Sequence, residues 1–247
     1  MTEAGSPSIA VPDYWWYRAR ADLLETALAE YVGEPRRLLD VGSADGPSVS
    51  WLRGHGKQVA LDVDPRGLSA GGVCGSALEL PFADGVFDVV AAFDVIEHCE
   101  PEATALAEVS RVLTPGGRFL MSVPAYQWAW THFDDHNHHH RRYTRPRATS
   151  ALRQAGFEIL RATHVFGSTF PMFAADRLVT RVKERGRGAA SLGPDAVPKL
   201  PEVSPTVEKV LMGLARLDQR MLRSRDIPFG SSVVVAARKP YEVSRPD

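Results

Sequence analysis

The sequence predicts an α/β domain built on a doubly wound, mainly parallel sheet. Three observations point there. Short apolar runs alternate with segments of helical periodicity; the first run leads directly into a glycine turn; and the second closes on an aspartate. RRLLDVG (36–42) and FDVVAAFD (87–94) are nearly continuous apolar runs, as strands covered by helices on both faces must be. Strand twist then makes the crossovers right-handed.

Each element follows from a local signal. Residues 1–12 read as a disordered arm, too small and polar for a secretion signal. Residues 13–33 space their apolar positions as a helix does and stop at Gly33. PSVSWLRGHG is expected to be a short helix, QVALDVD the second strand, VCGSA a third and FDVVAAFD the fourth. PEATALAEVSRVL is a helix stopped by TPGG, and RFLMSVP is the fifth strand. Residues 124–148 then read as a long aromatic, histidine-rich loop, and loops of that length usually serve function. RPRATSALRQAGF is a helix and FEILRATHV a strand. Residues 168–229 interrupt the alternation with two amphipathic helices around a Gly/Pro-rich connection, and PFGSSVVVAARKP supplies the last strand.

Composition narrows the function. At 247 residues with 44% hydrophobic and 24% charged residues, the chain fits a single folded domain rather than a disordered one. Twenty-nine Lys plus Arg against 30 Asp plus Glu leave a net charge of -1, which excludes a nucleic-acid binder driven by overall charge. Cys74 and Cys99, with no CxxC, cannot build a zinc quartet and favour a reducing, cytoplasmic compartment. No apolar run has the length of a membrane span.

The sharpest motif is LLDVGSADG (38–46). A dinucleotide fingerprint in its register would place glycines where Gly42, Ala44 and Pro47 stand, so two of three are missing. Asp45 would also oppose a pyrophosphate. Asp40 and Asp45 instead suit an ammonium or sulfonium group, and Asp62, closing VALDVDP, can accept hydrogen bonds from both hydroxyls of a ribose. Asp64, before Pro65, reads as a helix cap.

These motifs, in this order with GSALELPFADGVFDVVAAFDVIEH, LTPGGRFLMSVP and RRYTRPRATSALRQAGFEI, resemble those of the class I S-adenosylmethionine-dependent methyltransferases over residues 36–165. The resemblance implies a Rossmann-like seven-stranded sheet with an antiparallel last strand, here carrying a helical insertion. It implies S-adenosyl-L-methionine as cofactor, with Gly42, Ser43 and Ala44 near its methionine part, Asp62 and Val63 at the ribose, and Ser76 and Ala77 at the adenine edge. Phe93 would line the cleft. Ser76 stands where the family usually has aspartate, and Ala44 replaces a common glycine.

Methyl transfer is an in-line displacement, and a base is needed only for a protonated acceptor. His98, in DVIEH, is the first base candidate by position, and Glu97 reads as a structural acceptor. In WTHFDDHNHHHRRYT, three readings compete: a divalent metal at His-x₃-His spacing, a base from His132 or His136 beside anion-binding Arg141 and Arg142, or a self-satisfied flap. The base is preferred to the metal, and no metal ligand is assigned. The first helix is expected either to close the cofactor cleft, with Tyr14 or Trp15 near the sulfonium in a cation–π contact, or to pack on the sheet; Tyr14 is assigned to the cofactor and Trp15 to the acceptor. Tyr126, Trp128, Arg142 and Tyr143 are expected to face a small-molecule acceptor, a sugar or secondary-metabolite hydroxyl or amine. The apolar stripe of 206–225 reads as a lid or homodimer face, with peripheral membrane contact as the minority reading. The rival functions are a cofactor-binding protein without catalysis and a nicotinamide-dependent oxidoreductase.

Overall fold

The computed structural model describes residues 13–43, 47–187 and 202–241. The arm at 1–12, Ala44, Asp45 and most of the Gly/Pro-rich connection lie outside the described residues. Seven strands form one sheet: β1 (Arg37–Val41), β2 (Lys57–Asp62), β3 (Val73–Cys74), β4 (Phe87–Phe93), β5 (Leu113–Pro124), β6 (Glu158–Val165) and β7 (Ser232–Arg238), in the order β3-β2-β1-β4-β5-β7-β6. β7 alone runs antiparallel to both its neighbours. The expected sheet and its reversed last strand are therefore present.

Alternation within each strand builds two cores, one per face. Val90 and Ala92 of β4 and Val233 and Val235 of β7 join Leu106 and Val109 of α2 (Glu102–Val112) and Leu152 of α4 (Arg145–Gln154). Val89, Ala91 and Phe93 point the other way, with Val234 and Ala236, onto α1 (Trp15–Val32) and α6 (Pro205–Leu222). With side chains of period two and helices on both sides, most positions of the central strands are apolar, which is why these runs showed no alternation.

The short helix expected at PSVSWLRGHG is present as a 3-10 helix, Pro47–Leu52, that ends before Arg53. The link from β2 to β3 is a 3-10 turn, Pro65–Gly67, and the link from β3 to β4 is a loop, as LELPFADG suggested. Asp64 does cap that turn, accepting from the Arg66 N–H at 3.0 Å. TPGG lies inside β5 rather than before it: pairing with β4 shifts between Phe87↔Leu113 and Val89↔Arg118, and the irregularity absorbs the extra residues.

The segment 124–148 is largely built. It holds a 3-10 turn, Gln127–Ala129, the short helix α3 (His132–His136) and the start of α4. Thr131 and Asp134 cap α3 reciprocally, and α5 (Phe170–Arg187) packs over the segment: Arg177 donates to Thr131 Oγ1 at 2.7 Å and Arg181 to the Trp128 carbonyl at 2.6 Å.

The stripe of α6 splits. Leu211, Ala215 and Leu222 bury against α1, where Arg18 also pairs with Glu208, while Val207, Val210 and Leu217 stay exposed. Among the described residues no helix is long and apolar enough to cross a membrane.

His164 ends β6 in a dry setting. Its ring stacks on Tyr126 at 5.8 Å, its Nε2 lies 3.4 Å from the Tyr126 hydroxyl, and its Nδ1 lies 3.3 Å from the Ile227 carbonyl. Burial lowers its pKa below the usual 6.5, the Ile227 carbonyl opposes that shift and the charge of Arg145 adds to it. The unfolded chain therefore binds the proton more readily, and stability falls as pH drops through the ordinary histidine range. His164→Gln should show a smaller decline in melting temperature from about pH 7 to about pH 5 than the parent protein. An unchanged slope would contradict this.

Candidate cofactor and acceptor site

The carboxyl ends of β1, β2 and β4 meet at one edge, where β1 has neighbours reached in opposite directions; open α/β sheets bind ligands at such points. Gly42 leaves β1 with φ +71°, and its N–H donates to the Leu61 carbonyl at 2.7 Å. A Cβ there would lie 2.3 Å from Val95 Cγ2, so the loop after β1 rests directly on the turn after β4. Ser43 donates from Oγ to Asp40 Oδ2 at 2.6 Å, both residues being buried.

Across the gap, Asp62 is only 9% exposed and accepts the Asp64 N–H at 2.8 Å, which fixes its carboxylate. Val63 beside it is 69% exposed, at the lip. Ser76 Oγ accepts the Leu78 N–H at 3.1 Å, and Ala77 is buried. Phe93 is buried with its ring 6.1 Å from that of Trp51.

Three features fit an adenosyl sulfonium ligand: a loop stripped of side chain at Gly42, buried carboxylates at Asp40 and Asp62, and buried indole N–H groups of Trp15 and Trp51 that lack hydrogen-bond acceptors. A cleft of about 250 Å³, lined by Arg36, Asp88, Arg118 and Tyr241, lies at the opposite ends of the strands.

Sequence reasoning missed Arg20, because an arginine on an amphipathic helix reads as solvated. It is 2% exposed and reaches from α1 to Asp94 at 2.8 Å and to Ser122 Oγ at 2.8 Å, with its guanidinium 5.4 Å from the Trp16 ring centre. Asp94 has φ +57°, a conformation this partner helps to hold. Tyr14 precedes α1 with its ring 5.9 Å from Trp15, so the aromatic pair sits on the helix that Arg20 anchors to the ends of β4 and β5.

After β5, Tyr126 (φ +62°) stacks on Trp128 at 5.9 Å, and Phe170 lies 5.3 Å from Tyr126 and 5.7 Å from Phe229. Trp128 and Phe229 remain part-exposed, forming an aromatic shelf. Arg142 and Tyr143, expected to face an acceptor, are instead turned inward. Arg142 is 6% exposed and donates to Asp134 Oδ1 at 2.7 Å, and Tyr143 is 1% exposed and donates to Glu102 Oε2 at 2.5 Å. Arg142 and Tyr143 hold the segment down because a buried carboxylate demands a donor.

The histidines divide. His132 is exposed and His136 half-buried on α3. His98 is the last residue of the 3-10 turn Ile96–His98 and faces His139, ring centres 4.6 Å apart. Desolvation and then the charge of His139 hold His98 down to about 4, so it is neutral near pH 7 and a weak proton acceptor.

The methyltransferase domain family model matches residues 39–121. The biotin biosynthesis bifunctional protein BioHC of Cellvibrio japonicus is 34% identical over 140 residues, 50% of this chain and 28% of that protein. The demethylmenaquinone methyltransferase of Mycolicibacterium vanbaalenii is 33% identical over 116 residues, 44% of this chain and 48% of that protein. The chain thus spans a quarter to a half of the length of these relatives. The N-methyltransferase NodS from Bradyrhizobium japonicum, solved with S-adenosyl-l-homocysteine, shares the fold: TM-score 0.55 at 14% identity, covering 96% of this chain and 94% of that one. Fold and edge geometry define an α/β protein with a doubly wound, mainly parallel sheet. Over residues 39–121 the chain is similar to the methyltransferase domain family, and its sheet order is that of the class I S-adenosylmethionine-dependent methyltransferase fold.

Gly42→Ala should cost about 1–3 kcal/mol in urea denaturation, from left-handed strain and the collision with Val95. Adding Val95→Ala should restore part of the loss, since only the collision is relieved. A Gly42→Ala protein as stable as the parent would contradict the packing described.

Proposed function

We propose that the chain transfers a methyl group from S-adenosyl-L-methionine to a small-molecule acceptor, a hydroxyl or amine of a sugar or secondary metabolite. The observation that carries this reading is the pairing of the Gly42 loop with the Asp62 carboxylate at one sheet edge, inside the span that matches the methyltransferase domain.

When bound, the cofactor supplies a methyl group on a positively charged sulfur. The chain's own residues do the rest. Asp62 accepts the ribose hydroxyls, Val63, Ala77 and Phe93 pack on the nucleoside, and Ser76 offers a weaker contact than aspartate would at the adenine edge. Gly42 and Ser43 bring main chain close to the methionine part, and buried Asp40 keeps negative charge behind it. Tyr14 and Trp15 close the cleft from α1, presenting aromatic faces that suit a sulfonium. Tyr126 and Trp128 hold the acceptor from the side of β5. Alignment of acceptor, methyl carbon and sulfur by such a clamp can supply about 7–11 kcal/mol of the barrier. For a protonated acceptor, His132 and His136 are the candidate bases, whereas the surroundings of His98 suit a neutral role.

Titration calorimetry with S-adenosylhomocysteine tests this. Asp62→Ala should weaken binding by roughly 30-fold or more, the loss of at least one charge-assisted hydrogen bond plus part of a second. Equal affinity in the variant would contradict the assignment. Release of S-adenosylhomocysteine from the methyl donor over a panel of hydroxyl and amine acceptors separates an enzyme from a binding protein.

A further inference from the structure

We propose that Glu97, His98 and His139 form a binding site for one divalent transition-metal cation of the zinc type, placed between the cofactor loop and the acceptor shelf. One ligand atom from each of the three lies within 4.8 Å of the other two. A tetrahedral site with bonds of about 2.0–2.1 Å separates its ligand atoms by roughly 3.3 Å, so a small closure completes it.

Glu97 gives the independent indication. The residue is 0% exposed, and neither carboxylate oxygen has a hydrogen-bond partner. Protonation alone does not settle such a group, because it leaves a buried hydroxyl without an acceptor and a buried carbonyl oxygen without a donor. A cation satisfies both oxygens at once. Burial first, and then the charge of Asp94, raise the pKa of Glu97, while Arg20 and Arg142 oppose that shift, so the case for a cation rests on the enclosed carboxylate and the two imidazoles beside it.

His139 is oriented for the same task. Its Nδ1 lies 2.8 Å from Asp134 Oδ1, so Nδ1–H donates and the lone pair sits on Nε2. Asp134 is itself fully buried, capped on Thr131 and paired with Arg142 at 2.7 Å. Burial would raise its pKa, but the hydrogen bonds from His139 and Arg142 hold it ionised below the usual range. A carboxylate behind a ligating imidazole is the usual support of a metal site. Main-chain groups of Asn137 and His138 take the corresponding place beside the His98 ring. Two imidazoles and one carboxylate leave coordination positions open, as in catalytic rather than structural sites.

The inference rests on the methyltransferase reading and deepens it toward an oxygen acceptor. The cation would lower the pKa of an acceptor hydroxyl bound in an open position. That O–H bond breaks and its proton passes to water. The oxygen then forms a bond to the methyl carbon while the C–S bond breaks and its electron pair stays on sulfur, leaving S-adenosylhomocysteine.

The test uses the full chain, stripped with a chelator, then titrated with Zn²⁺ alone against a chromophoric competitor. One equivalent should bind. Glu97→Gln and His139→Ala should each weaken binding about 100-fold or more, and Asp134→Asn, acting through His139, about 10-fold. His132→Ala and His136→Ala should bind as the parent does. Melting curves establish that each variant is folded, and His139→Ala carries the test should Glu97→Gln not fold. With Co²⁺ in place of Zn²⁺, visible absorption bands should appear and shift on adding azide, reporting an open position. Binding below one equivalent, or binding lost with His132 or His136 but kept without His139, would overturn the proposal. S-adenosylhomocysteine affinity, measured on the same samples, keeps the two readings apart: cofactor binding without zinc removes only the metal, and zinc binding without cofactor removes only the cofactor assignment.

Discussion

The missing side chain at Gly42 is the constraint on which the site depends. Because nothing projects from it, the loop after β1 settles onto Val95, and the turn carrying Glu97 and His98 is brought against the cofactor edge. The same turn is strapped from the far side: the His140 N–H donates to the Glu97 carbonyl at 2.9 Å and Arg141 to the Cys99 carbonyl at 2.6 Å. One close approach thus joins three segments far apart in sequence. Any larger residue would need both a left-handed backbone and a displaced valine.

A second clamp works from the N-terminus. Arg20 is nearly enclosed, and its ion pair with Asp94 is shielded from water on the arginine side. Removing one partner from such a pair leaves a buried charge with poor compensation, which costs more than the pair contributes. This explains how α1, an element outside the sheet, is pinned over the ends of β4 and β5. Tyr14 and Trp15, at the start of the same helix, are thereby held in place.

Much of this was legible in the sequence, for identifiable reasons. Strands buried on both faces announce themselves as apolar runs, and Gly42 and Asp62 lie at strand ends where chain reversals need special residues. What was hidden depended on partners distant in the chain. Arg20 looked like surface because its acceptors, Asp94 and Ser122, come from other strands. Arg142 and Tyr143 looked like ligand contacts because the carboxylates that hold them, Asp134 and Glu102, cannot be paired by spacing alone. The histidine-rich segment suggested His132–His136 pairing, yet the imidazole brought to Glu97 is His139, since the cap of α3 turns Asp134 toward it. TPGG read as a stop because a strand irregularity that tolerates glycine leaves no signal distinct from a turn.

A crystal structure of the chain with S-adenosylhomocysteine tests the central claim most directly. The account predicts ribose hydroxyls on the Asp62 carboxylate, the amino-acid part against Gly42 and Ser43, and the sulfur opening toward the side of β4 and β5. An adenosyl group bound elsewhere, or a Gly42 loop that blocks the edge when ligand is present, would contradict it.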